Sequence, residues 1–176
     1  MVSGIRTRQA LEFVRGRLSR RRFEHSVRVA RTAVRMARHF GQDPGDAWLA
    51  GLLHDTAREV PDEELLEYAR CAGIPVSEEE LELPVLLHGK AGARMVAEAL
   101  PWVSPAAVRG IAHHIRGGEG ISELEMIIYI ADFMEPGRPY HKPGWNRWDG
   151  FLRPEDLYRW VETTSSLYYK KSTAGV

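Results

Sequence analysis

Apolar residues recur along most of this chain at intervals of three and four, the period of helices that bury one face. Leu11, Val14 and Leu18 set that spacing over Ile5 to Leu18, the first predicted helix. A longer amphipathic helix runs from Phe23 to Phe40 and stops at Gly41, with Pro44 just beyond. Asp46 to His54 is short and strongly apolar, the pattern of a helix at the centre of a bundle. Pro61 to Ala72 has an acidic first turn and reads as a peripheral helix ended by Gly73. Ser77-Glu78-Glu79-Glu80 is a capping-box pattern, and Pro84 bends the chain before Val85-Leu86-Leu87-His88. Ala91 to Leu100 is helical up to Pro101, and Ser104-Pro105 starts the helix that carries His113 and His114. After a loop containing Gly117, Gly118 and Gly120, Ser122 with Glu125 caps the most apolar helix, which runs through Ile127-Ile128-Tyr129-Ile130 to Asp132 and ends at Pro136. Gly137 to Gly150 reads as a Pro-, Gly- and Trp-rich surface loop. Pro154 starts a last helix with Leu157, Trp160 and Val161 on one packed face. No stretch alternates with period two and none repeats, so the expectation is a single all-α domain over residues 1–176.

Composition alters this picture little. Among 176 residues the hydrophobic fraction is 44% and the charged fraction 27%, values of an ordinary globular domain with room for a substantial core. No apolar run approaches the ~18 residues that cross a bilayer, and the first residues carry arginine rather than an apolar signal core. With a single cysteine, Cys71, no disulfide can staple the chain, which points to a reducing cytoplasm. Cys71 itself reads as a small buried residue near a helix end. The net charge is zero, so charge gives no argument for nucleic acid or a membrane as partner. Arginines crowd the first forty residues, including Arg20, Arg21 and Arg22, as a solvated helix face or a rim that attracts phosphate.

The candidate chemistry lies in a handful of histidines and aspartates. His54-Asp55 ends the apolar run Ala50-Gly51-Leu52-Leu53. Within a helix neighbouring side chains diverge by about 100°, but where a helix ends both can converge on one ion. Imidazole with carboxylate suits zinc, iron or manganese. His25 sits one turn into the long amphipathic helix, His88 follows Val85-Leu86-Leu87, and of the adjacent His113 and His114 one faces the interior. Asp132 ends the most apolar helix, where a carboxylate needs a partner or a metal. His39 and His141 have ordinary surroundings and no assigned role.

In order, His25, His54-Asp55, His88, His114 and Asp132 resemble the HD-domain metal-dependent phosphohydrolases. His25-Ser26, Ala50-Gly51-Leu52-Leu53-His54-Asp55, His88-Gly89-Lys90-Ala91-Gly92-Ala93 and Ala131-Asp132-Phe133-Met134-Glu135-Pro136-Gly137-Arg138 are similar to the YqeK family of symmetrical bis(5'-nucleosyl)-tetraphosphatases. The resemblance spans about residues 20–138 and leaves 139–176 as a C-terminal loop and helix without a motif. It implies an HD-domain helical bundle that splits diadenosine tetraphosphate into two ADP with a metal-activated water. His25, His54, Asp55 and Asp132 would hold the first metal, with His54 and Asp55 at the centre of the chemistry. His88 and His114 would hold a second ion, with Asp55 bridging, or contact substrate phosphate. Arg138, Lys90 and Arg58 would contact phosphate. The implied metal is iron, as one or two ions, with manganese, zinc or another divalent ion as alternatives. The implied partner is a dinucleoside polyphosphate or other nucleotide, with no nucleic acid and no membrane. Two departures stand out: Arg58 replaces a usual lysine, and Ile115-Arg116-Gly117 replaces Thr-Thr-Gly. Another HD activity, on nucleotides or guanosine polyphosphates, and a non-catalytic nucleotide-binding scaffold remain the alternatives, and the oligomeric state is open.

Overall fold

The computed structural model describes residues 4–117, 120–139 and 148–173, with side chains up to residue 164. His141 and Gly118 lie outside them. Helices α1 (Gly4–Arg15), α2 (Arg20–His39), α3 (Pro44–Leu53), α4 (Asp62–Cys71) and α5 (Glu78–Glu82) are followed by a 3-10 turn at Pro84–Leu87. Then come α6 (His88–Ala99), α7 (Pro105–His113), α8 (Glu123–Met134), a second 3-10 turn at Trp148–Gly150 and α9 (Pro154–Thr173). Among the described residues there is no strand, and no helix is long and apolar enough to cross a membrane.

Local chemistry accounts for the helix starts. The hydroxyl of Ser19 accepts the Arg22 amide, and Asp43 accepts the amides of Gly45 and Asp46. Ser77 with Glu80 and Ser122 with Glu125 form complete capping boxes. Two starts differ from the sequence expectation by three residues. Helix α2 begins at Arg20, three residues early, because Ser19 serves as the cap and is itself held by Glu59, which accepts its amide at 2.5 Å and its hydroxyl at 2.7 Å. Helix α6 begins at His88 rather than Ala91, because the turn at Pro84–Leu87 already carries helical backbone into it.

Helix α2 packs against α3 and α8, α7 against α6, α3 and α8, and α9 against α8. Met36, Leu52, Leu53, Ile111, Ile127, Ile128 and Ile130 fill the centre and are fully buried. On α9, Leu157 and Val161 are buried as expected, whereas Trp160 is 38% exposed because it lies at the edge of the packed face. The C-terminal segment is tied to α2 through His39, whose Nε2 lies 2.9 Å from the Phe151 carbonyl and whose ring packs edge-on to Trp148. Cys71 departs from its expected burial: it is exposed and its thiol donates to Glu67 Oε1 at 3.3 Å.

Glycines set how closely the helices that matter most approach. A Cβ on Gly51 of α3 would lie 2.8 Å from Ala30 Cα of α2. A Cβ on Gly89 of α6 would lie 2.9 Å from the Ala112 carbonyl of α7, and one on Gly110 would meet Ala50 and Ile128 at 3.2 Å. At Gly51 and Gly89 the helix backbones therefore run almost in contact.

Candidate metal centre

Those close crossings bring helix ends together. His54 is the residue at which α3 ends and Asp55 follows in the turn, so both side chains converge as the sequence suggested. His88 opens α6, His114 closes α7, Asp132 sits in the last turn of α8, and His25 projects from the second turn of α2. The Gly51 crossing holds the helices of His25 and His54, and the Gly89 crossing those of His88 and His114.

All four imidazoles share one arrangement. Nδ1 of His54 donates to the Gly51 carbonyl at 2.8 Å, that of His88 to Val85 at 2.5 Å, and that of His114 to Ile111 at 2.7 Å. Nδ1 of His25 meets Glu135 Oε1 at 3.0 Å. A carbonyl only accepts, so Nδ1 carries the hydrogen and a neutral ring presents a bare Nε2 to the interior. Fixing one ring nitrogen to orient the other is the usual support of a metal-ligating histidine.

The inward atoms form two groups that share Asp55. Oδ2 of Asp55 lies 3.7 Å from His25 Nε2 and 3.5 Å from His54 Nε2. Asp132 Oδ1 lies 3.0 and 3.6 Å from the same two nitrogens. Oδ1 of Asp55 faces the other way, 3.3 Å from His88 Nε2 and 3.9 Å from His114 Nε2. Ligands at ~2.1 Å from an ion lie roughly 3.0–3.4 Å from one another, so these spacings are close to the edges of a coordination shell. Nε2 of His25 and Nε2 of His54 are buried without a hydrogen-bond partner. Nε2 of His88 and Nε2 of His114 stand 3.1 Å apart, where two bare lone pairs repel unless a cation or proton lies between them. The donor set fits one or two divalent ions; both His25-His54-Asp55 and Asp55-His88-His114 qualify as three-ligand groups.

The electrostatics agree. Burial pushes the pKa of His54 down, and that of His114 down to about 3 with help from His54 and His88, so both rings stay neutral. Burial opposes the charge of Asp55, but His54, His88 and His114 outweigh it and hold the carboxyl well below its usual range. Asp132 is held low in the same way, against burial, by His25, Arg138 and His54. Burial also disfavours charge on His25, yet Asp132 and Glu135 raise its pKa.

A cleft of about 270 Å³ opens over Asp55, His88, His114 and Asp132. Arg22, Arg58 and Arg138 line it on the charged side, and Val85, Leu86, Ile115, Tyr129 and Phe133 supply apolar wall. Of the cations expected there, Arg138 and Arg58 arrive and Lys90 does not line the cleft. Its ammonium is held by Glu80 and the Pro75 carbonyl, at 2.8 and 3.0 Å, because a buried Glu80 needs a cation. Arg138 bonds both the carbonyl and the carboxylate of Asp132. His113 bonds Glu125 instead of facing the centre. Two residues were given no individual role at the site in the sequence reading. Glu135 is buried and accepts from His25, from Arg28 Nε at 2.6 Å and from the Gly137 amide at 2.6 Å. Arg22 reaches Asp55 Oδ2 at 3.1 Å. Its spacing of three from His25 on one helix was the available signal; for Glu135 it was a carboxylate three residues beyond Asp132.

A helical bundle whose helix ends pool histidines and aspartates around one centre defines a protein of the HD type. Residues 22–137 match the HD domain family, and the chain belongs to it, alongside the symmetrical bis(5'-nucleosyl)-tetraphosphatases. The chain is 32% identical over 132 residues to "bis(5'-nucleosyl)-tetraphosphatase, symmetrical" of Bacillus subtilis (strain 168), covering 75% of this chain and 70% of that one. The protein of the same name from Halalkalibacterium halodurans is 31% identical over 134 residues, covering 75% and 70%. A crystal structure from Clostridium acetobutylicum, described as a predicted HD superfamily hydrolase involved in NAD metabolism, superposes with a TM-score of 0.82 at 29% identity. That likeness covers 100% of this chain and 91% of the other.

Proposed function

We propose that this protein hydrolyses diadenosine tetraphosphate symmetrically, releasing two ADP, with iron at the centre and manganese or zinc as alternative metals. The observation that carries the reading is Asp55, one carboxylate presented to two pairs of imidazoles at the floor of an arginine-lined cleft. The names of the relatives in Bacillus subtilis and Halalkalibacterium halodurans support the substrate. The nitrogen and carboxylate donors, without thiolate, support a metal of intermediate hardness.

When bound, a divalent ion there supplies Lewis acidity, which activates a water near neutral pH and polarises a phosphoryl oxygen. The protein's own part is positioning and charge neutralisation, which phosphoryl transfer demands above all. His25, His54, Asp55 and Asp132 would hold the first ion, and His88 and His114 with Asp55 would hold the second. Arg22, Arg58 and Arg138 balance the phosphate charge. Tyr129 and Phe133, four residues apart on α8, form with Ile115 an apolar wall for a nucleoside. Ile115 thus adds a hydrophobic contact to the cleft wall, whereas Arg116 beside it pairs with Glu79 at 2.8 Å and does not line the cleft.

The test is chromatography of the initial products from diadenosine tetraphosphate in isotopically labelled water, beside a panel of mononucleotides and guanosine polyphosphates. ADP alone, with label in one product, is expected. ATP with AMP would overturn the symmetrical assignment, and preference for another nucleotide would replace the substrate.

A further inference from the structure

Arg22 and Arg138 line the cleft and also line a second, smaller hollow of about 90 Å³. Arg21 and Arg28 of α2, His25, Glu135, Gly137 and Pro139 complete it. Four guanidiniums therefore surround this space against a single carboxylate. That carboxylate is already committed, since Glu135 accepts from Arg28, His25 and the Gly137 amide. Arg28, Arg22 and Arg138 are balanced by Glu135, Asp55 and Asp132, so Arg21 is the guanidinium that leaves the hollow positive, and the size of the hollow suits a phosphate group rather than a nucleoside. Guanidinium is the side chain whose forked donors match phosphate oxygens.

The two shared arginines are fixed at the boundary between the spaces. Arg22 rests on Asp55 Oδ2, and Arg138 rests on Asp132 Oδ1, the two carboxylate oxygens that face His25 and His54. The turn of Gly137 lies directly on Arg28: a Cβ there would come within 2.4 Å of Arg28 Nε. Glycine at this point lets the turn and the α2 arginines close around one hollow.

We propose that this hollow is a second phosphate subsite, which takes a phosphate of the departing ADP while the attacked phosphoryl group lies over the metal centre. The proposal rests on the function proposed above. A dinucleoside tetraphosphate has two equal halves, and a cleft with one centre must hold them unequally. The phosphate chain crosses from one space to the other between Arg22 and Arg138, so the bond that breaks lies near the middle of the chain.

The experiment titrates ADP into the metal-loaded protein by calorimetry and follows diadenosine tetraphosphate hydrolysis by the same preparation. Arg21→Ala is the variant, because Arg21 is exposed and lines the smaller hollow but not the cleft. Arg31→Ala, an exposed arginine further along α2, controls for the loss of one positive charge. The wild type and Arg31→Ala are expected to bind two ADP per chain. Arg21→Ala should lose the weaker of the two and raise KM about tenfold, with a smaller change in kcat, as expected for one charged hydrogen bond to phosphate. One ADP per chain in the wild type, or two retained with unchanged KM in Arg21→Ala, would overturn the subsite. A wild type that leaves diadenosine tetraphosphate intact yet binds two ADP, one of them lost in Arg21→Ala, would keep the subsite and remove the substrate assignment.

Discussion

The carboxylate of Asp55 turns a different oxygen to each pair of imidazoles, so removing one pair should be felt by one ion and not by the other. His88→Ala is expected to lower metal content from about two ions per chain to about one, read by elemental analysis of protein purified without chelator. Full content in the variant would make His88 and His114 phosphate contacts instead. Arg138→Ala should keep the metal and lower kcat/KM tenfold to about a hundredfold, the worth of a charged hydrogen bond to phosphate. Steady-state kinetics beside metal analysis separates that loss from a damaged centre. That His25, His54, Asp55, His88, His114 and Asp132 gather at one place was legible in the sequence because each is a polar residue beside an apolar helical run, where burial demands a partner. Lys90 was misplaced for the opposite reason. Its neighbours along the chain say nothing of Glu80, ten residues earlier, which holds it.

Helix identities followed from the three-and-four spacing, and most caps from serines and prolines. The start of α6 did not, since the turn that leads into it has no side-chain cap to recognise. Nor could periodicity show how close two helices lie. Gly51→Ala would place a methyl group 2.8 Å from Ala30 Cα, and the only relief is to move α3 from α2. Overpacking of this kind costs about 1–3 kcal/mol, and here it also separates His25 from His54. The expected outcome is a lower melting temperature together with weaker metal binding, read by thermal unfolding and by competition with a chelator of known affinity. The Glu80–Lys90 pair, linking α5 to α6, gives a pH-dependent contrast. Burial opposes the charge of Glu80, but Lys90 and Ser77 hold its pKa below the ordinary 4.5. Its contribution is therefore complete above pH 4.5 and fades as the pH falls through the lower folded-state value. Lys90→Ala should cost about 1–2 kcal/mol at neutral pH and less in acid, shown by urea unfolding across that range.

At the scale of the whole molecule, the proposed ligands draw α2, α3, α6, α7 and α8 onto one point, so metal and fold are coupled. A metal bound only by the native state stabilises it by ~2.7 kcal/mol at a hundredfold excess over Kd. Chelation is expected to lower the melting temperature, and Asp132→Ala should shrink the difference between treated and untreated protein to the share of the ion beside His88 and His114. His39→Ala, which loses the tie to Phe151 and the ring contact with Trp148 away from the cleft, should keep metal and activity. The glycines at the crossings carry this coupling further. Gly51 and Gly110 lie inside helices, where glycine is worse than alanine by roughly 0.8–1.0 kcal/mol each. Together that is about 1.6–2 kcal/mol of helix stability surrendered for closeness, a large part of what the ions return. Deprived of metal, the chain keeps the weakened helices without the compensation, and its unfolded fraction rises by about a hundredfold. Proteases act on that fraction, so in a living cell the half-life of this protein should track metal supply, and starvation would remove the enzyme as well as silence it.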